Sequence, residues 1–91
     1  MLHALICTDK PDHLEVRTAN REAHLAHLRA DPHVRQAGPF VDATGAMCGS
    51  LIIFETGDRA HVEAFAAADP YARAGLFEDV RIEAWNRVID A

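Results

Sequence analysis

The sequence predicts an α+β fold: a ferredoxin-like βαββαβ unit on a four-stranded antiparallel sheet. Three observations predict it. A compact apolar run, LHALICT at 2–8, is closed by the breakers DKPD, which suits a buried strand. Two stretches, 13–29 and 59–68, repeat their apolar residues at three- and four-residue steps, as helices do. Two strand-like stretches separate the helices and one follows, so the order is strand, helix, strand, strand, helix, strand. At 91 residues the chain reads as one domain, 1–91.

After the first strand, Asp12 is expected to cap a helix that runs through Arg29. Leu14, Arg17, Arg21, His24, Leu25 and Leu28 fall near one stripe of it. Asp31-Pro32 ends it, because the residue before proline resists helical angles. VRQAGPFV (34–41) is interrupted by Gly38-Pro39 and reads as an edge or bulged strand. DATGAM supplies a turn and GSLIIFE (49–55) the returning strand, which makes a hairpin.

Asp58 can cap the second helix, RAHVEAFAAA, whose inner stripe is Val62, Phe65 and Ala66. DPYARAGLF breaks that helix with a further helical turn, and EDVRIEAWNRVID gives the last strand. Period two puts Val80, Ile82 and Ala84 on one face of it, with Arg81, Glu83 and Trp85 on the other. Both helices cover one face of the sheet. The other face, with Ile53, Val80 and Ile82, is expected to be too apolar to stay wet, so a homodimer with its sheets packed together is expected.

Apolar residues at 49% and charged residues at 25% are ordinary for a globular chain and leave no room for wholesale disorder. Fourteen acids against nine scattered bases, a net charge of −5, argue against a nucleic-acid groove. The opening MLHALICTDK has no basic leader, and its apolar run is too short for a membrane span; a cytoplasmic protein with no membrane partner is expected. Cys7 and Cys48 have neither CxxC nor Cys/His spacing and read as free thiols, Cys7 within the core. Six histidines include no HxH, HExxH or His/Cys pattern, so no metal site and no cofactor are expected. No GxSxG elbow or phosphate-cradling glycine loop is present.

His24 shares its helical stripe with Arg21 and Arg17, one and two turns earlier. Two cations beside an imidazole could bind an anionic substrate and would lower the imidazole pKa. The same residues also fit a core-edge histidine and a solvated arginine face. Asp69, before Pro70, can hold a turn by its own hydrogen bonds, or it can orient a histidine and fix its tautomer. Tyr71 can offer a phenol to the same crevice or simply bury its ring. Ser50 can donate to a ligand or tie off the hairpin. His27 lies about 100° around the helix from His24 and faces elsewhere.

LICTDKPD at the start, R-x-x-x-R-x-x-H-L from Arg17 to Leu25, AGPF at 37–40, GSLIIFE at 49–55 and AAADPYARAGLFEDVRIEAWNRV at 66–88 occur in one order across nearly the whole chain. In that order they resemble the YCII-related family of small bacterial proteins. The resemblance implies a dimeric α+β barrel of ferredoxin-like subunits, related in fold to muconolactone isomerase. It implies a His–Asp active-site pair at His24 and Asp69, with Arg17 and Arg21 as further site residues. One relative is a dehydrochlorinase of a chlorinated hydroxyquinol. Compared with that family, the segment ADPHVRQ and the turn VDATGAMC are short and are expected to border the pocket.

The expected function is a cofactor-free enzyme in which His24 is general base or acid, Asp69 sets its tautomer and Arg17 holds a carboxylate, enolate or phenolate. Isomerisation, dehydrochlorination or a related elimination on a small cyclic or aromatic anion would suit such a site. The alternative is an accessory domain that binds a small anion or metabolite in the same pocket without chemistry.

Overall fold

The computed structural model describes all 91 residues. The elements are β1 (Leu2–Asp9), α1 (Leu14–Ala30), β2 (Val34–Val41), β3 (Met47–Phe54), α2 (Arg59–Ala68), α3 (Pro70–Arg73) and β4 (Phe77–Trp85). The sheet order is β2-β3-β1-β4 and every neighbouring pair is antiparallel, so the chain has the ferredoxin-like α+β fold. β2 is an edge strand with a register shift between Val34 and Gln36. No helix is long and apolar enough to cross a membrane.

The strand register decides which side chains meet the helices. Leu5 sits opposite Ile52 on one side and Ile82 on the other, and directly opposed residues share a face. That face supplies Leu5, Cys7, Ile52 and Phe54 to a core closed by Val62 and Phe65 of α2, with Ile82 packed against it. Asp58 caps α2, its side chain accepting from the Ala60 N–H. The long helix behaves differently. The residues that α1 buries are Arg17 and His24, so its inward stripe is polar where a core helix would carry leucine.

Several expectations need correcting. Val80 and Ile82 lie on the helix-covered face, since they oppose Cys7 and Leu5. The open face instead carries Leu2, Ala4, Ile6, Leu51 and Ile53, with Arg81, Glu83 and Trp85 opposite Ile6, Ala4 and Leu2. Asp12 does not cap α1: it takes a left-handed φ of 59° in the preceding turn, and the N-cap His13 makes no side-chain cap bond. β4 stops at Trp85, so residues 86–91 are outside the sheet. Of the two short segments, residues 30–36 do not line the cavity described below, whereas Met47 at the turn does.

Candidate active site

Asp69 stands at a joint. It ends α2 and opens α3, and Pro70 follows as the first residue of the new helix, where its missing N–H costs nothing. The Asp69 side chain accepts the Tyr71 N–H at 2.9 Å, a capping bond that fixes the carboxylate against the short helix. The same oxygen, Oδ1, lies 2.9 Å from Nδ1 of His24, which reaches it from α1. Both side chains are buried. With Nδ1–H donated to the carboxylate, a neutral His24 ring keeps its free lone pair on Nε2, which has no protein partner. Asp69 Oδ2 is buried with no hydrogen-bond partner at all.

The Tyr71 ring stacks on His24, with centroids 4.0 Å apart and planes within 17°. The Arg17 guanidinium carbon lies 4.6 Å from the same tyrosine centroid. Arg17 is only 2% exposed and is held on three bonds. Its Nε donates to Asp9 Oδ2 at 2.7 Å, and its Nη2 to Asp9 Oδ1 at 2.9 Å and to Ser50 Oγ at 3.0 Å. Burial works against its charge, but the Asp9 carboxylate and, after it, Tyr71 together outweigh burial and raise its pKa. Burial likewise raises the Tyr71 phenol, against the pull of Arg17 and Arg21. Behind this layer the Cys7 thiol is pushed up to about 12, by burial first and then by the Asp69 and Asp9 carboxylates.

These groups line a cavity of about 140 Å³ between the helices and the sheet. Arg17, Arg21, His24, Ser50 and Tyr71 form its polar wall; Leu25, Leu28, Met47 and Ile52 form an apolar wall, and Ala37–Pro39 of β2 form its edge. The structure therefore brings all six sequence candidates to one place. Arg21 is exposed at the wall and makes no hydrogen bond or ion pair. Nowhere in the chain do three His, Cys, Asp or Glu side chains converge as metal ligands. His27 does face elsewhere, its Nε2 on the Phe65 carbonyl at 3.0 Å and its ring stacked on Phe65.

Asp9 is the residue sequence reasoning missed. It ends β1 and lies eight positions before Arg17, a separation that belongs to no local pattern. The only signal was an acid at the end of a buried strand, in LICTDKPD.

A ferredoxin-like sheet with a buried His–Asp pair beside a small cavity defines the class of protein. The chain belongs to the YCII-related family, whose domain matches residues 1–86. Protein YciI of Escherichia coli is 35% identical over 97% of this chain and 99% of its own length. An uncharacterized protein of Haemophilus influenzae is 32% identical over the same shares. Among solved structures, the 5-chloro-2-hydroxyhydroquinone dehydrochlorinase of Burkholderia phenoliruptrix, in complex with 2,5-dihydroxybenzoquinone, is similar at a TM-score of 0.84, with 34% identity and 94% of each chain covered. An antibiotic biosynthesis monooxygenase shares the fold at a TM-score of 0.62 and 19% identity, covering 98% of this chain and 100% of the other.

Proposed function

We propose that the cavity binds a small oxygenated single-ring anion and that His24 acts on it as general base and acid, with Asp69 fixing the imidazole tautomer. The buried 2.9 Å bond between His24 Nδ1 and Asp69 Oδ1 at the cavity wall carries this reading. It leaves Nε2 as the proton acceptor for a bound molecule. The cavity's volume of about 140 Å³ suits one ring, since a hollow of about 150 Å³ holds one benzene. Its apolar wall would take the ring faces and its polar wall the ring oxygens.

The reaction class follows from the base. His24 removes a proton from a ring hydroxyl, or from a carbon beside a carbonyl. The electron pair left behind becomes a phenolate or enolate. Reprotonation at another atom isomerises the ring; loss of a halide from it completes an elimination. In the elimination a proton and a halide leave together, so no redox partner is consumed. The likeness to a dehydrochlorinase supports this arm. The working unit is a homodimer joined through the open sheet face.

The test is turnover of 5-chloro-2-hydroxyhydroquinone and of related halogenated and hydroxylated rings, followed by halide release and absorbance. His24→Ala, with its fold verified by a cooperative if lower thermal transition, is expected to lower kcat by about 10²–10⁴. Undiminished turnover by that variant removes His24 from the mechanism. Saturable binding with no product from any compound leaves a binding module in place of an enzyme.

A further inference from the structure

We propose that the cavity recognises anionic oxygen through Arg21 and Ser50, and that Asp9 with Arg17 forms a charge-neutral strut that turns the Ser50 hydroxyl into a dedicated hydrogen-bond donor. This deepens the acid–base reading above and takes its site from it.

Two cations reach the cavity wall, and the obvious receptor for an anion is the buried one, Arg17. Its bonding argues otherwise. A guanidinium has five N–H groups, and three of those of Arg17 are spent within the protein. The Asp9 carboxylate grips it side-on through both oxygens, the geometry in which the pair is strongest and the charges cancel most completely. An anion binding there would have to compete with a carboxylate already in place. Arg21 stands one helical turn later on the same stripe and no carboxylate faces it. It is the uncompensated positive charge of the wall.

The strut has a second consequence, at Ser50. A hydroxyl has one proton and two lone pairs. Ser50 Oγ already accepts from Arg17 Nη2 at 3.0 Å, and its own O–H has no acceptor in the protein. Ser50 is 2% exposed and lines the cavity, so the occupant is the partner left for that proton. A cationic donor behind the oxygen polarises the O–H and strengthens what it gives. Asp9 acts through Arg17 and so is a positioning residue; Ser50 and Arg21 touch the ligand.

The wall then offers donors at Arg21 and Ser50 and an acceptor at His24 Nε2. The complementary ligand is a ring with at least one carbonyl or anionic oxygen and one acidic proton. An uncharged hydrocarbon ring would fit by size and leave the donors unanswered, which is costly in a buried site.

2,5-Dihydroxybenzoquinone is a suitable probe, being coloured, anionic at neutral pH and rich in acceptor oxygens. It would be titrated by absorbance into the full-length protein at about 0.01 M and about 1 M salt, conditions that leave charge attraction open and then screen it. Arg21→Gln is expected to weaken binding about tenfold or more and to flatten the salt dependence, with partial recovery in Arg21→Lys. Ser50→Ala is expected to weaken binding about fivefold with the salt dependence unchanged. Asp9→Asn loosens the strut, so in that background Ser50→Ala is expected to cost less than the roughly fivefold it costs beside Asp9, provided thermal unfolding shows the variant folded; if it is not, the Arg21 and Ser50 variants decide.

Wild-type affinity and salt dependence in Arg21→Gln would overturn the proposal, as would an undiminished Ser50→Ala effect in a folded Asp9→Asn protein, which would leave the strut no part in aiming the hydroxyl. Failure of the wild-type protein to bind the probe also overturns it. None of these results touches the acid–base reading, which stands or falls on turnover by His24→Ala.

Discussion

Asp69 joins two helices, caps the second and bonds His24 Nδ1 through the same oxygen, so its variants separate chemistry from stability. Asp69→Asn can keep both bonds through the amide oxygen, because a single oxygen, Oδ1, makes both of them. What it loses is the negative charge beside the imidazole, which on the proposed mechanism takes up a proton. A kcat fall of about tenfold or more is expected with the unfolding temperature nearly unchanged. Asp69→Ala removes the cap as well and is expected to cost about 1 kcal/mol more stability, read from denaturant midpoints. Cys7 makes a prediction of the opposite kind, on stability alone. Its thiol is raised from 9.0 to about 12, first by burial and then by Asp69 and Asp9. The folded protein keeps a proton that the unfolded chain releases. The contribution of the thiol is therefore intact below pH 9 and is lost as pH rises from 9 toward 12. Melting temperatures across that window should fall less steeply in Cys7→Ala than in the wild type, although the variant begins lower because it leaves a small void.

At the scale of elements, the central strand pair leaves no room at Gly49. A Cβ there would sit 2.5 Å from the Cys7 carbonyl oxygen and 3.2 Å from Cδ2 of Phe40. The first of these is backbone of the neighbouring strand and cannot swing aside. Gly49→Ala is expected to destabilise by about 1–3 kcal/mol in chemical denaturation. The strand itself was legible in the sequence, as were the other strands and both long helices, because their apolar periods are local. Which face of β4 turns inward was not legible. Alternation sorts Val80 and Ile82 from Arg81 and Glu83, but only pairing with Leu5 and Cys7 says which set meets the helices. The candidate site divides in the same way. Arg17, Arg21 and His24 share a stripe by helical arithmetic, and Asp69 announces itself before Pro70. Asp9 needed the crossing of α1 over the end of β1, a tertiary fact with no period, and so did the loss of Arg17 as a free cation.

The whole molecule is asymmetric about its sheet. One face is roofed by helices and holds the cavity, while the other presents Leu51 and Ile6 half-covered and Trp85 42% exposed. A 91-residue chain has a modest core, so covering that face with a second copy would add burial that the fold cannot find within itself. A stable pairing of this kind needs about 800 Å² from each partner. Light scattering is expected to give twice the 10.0 kDa of the chain. Leu51→Glu puts a charge at the middle of the open face and is expected to yield monomer. Of the strand positions that line the cavity, Ala37, Pro39, Ser50 and Ile52 share the helix-covered face with Leu5 and Cys7, so a partner on the open face would lie across the sheet from the ligand. The Leu51→Glu monomer, weaker to heat, should therefore keep affinity for 2,5-dihydroxybenzoquinone within about threefold of the dimer, since sites without shared partners are nearly additive. A monomeric wild type would remove the pairing; loss of ligand binding in a folded monomer would mean that the partner subunit completes the cavity.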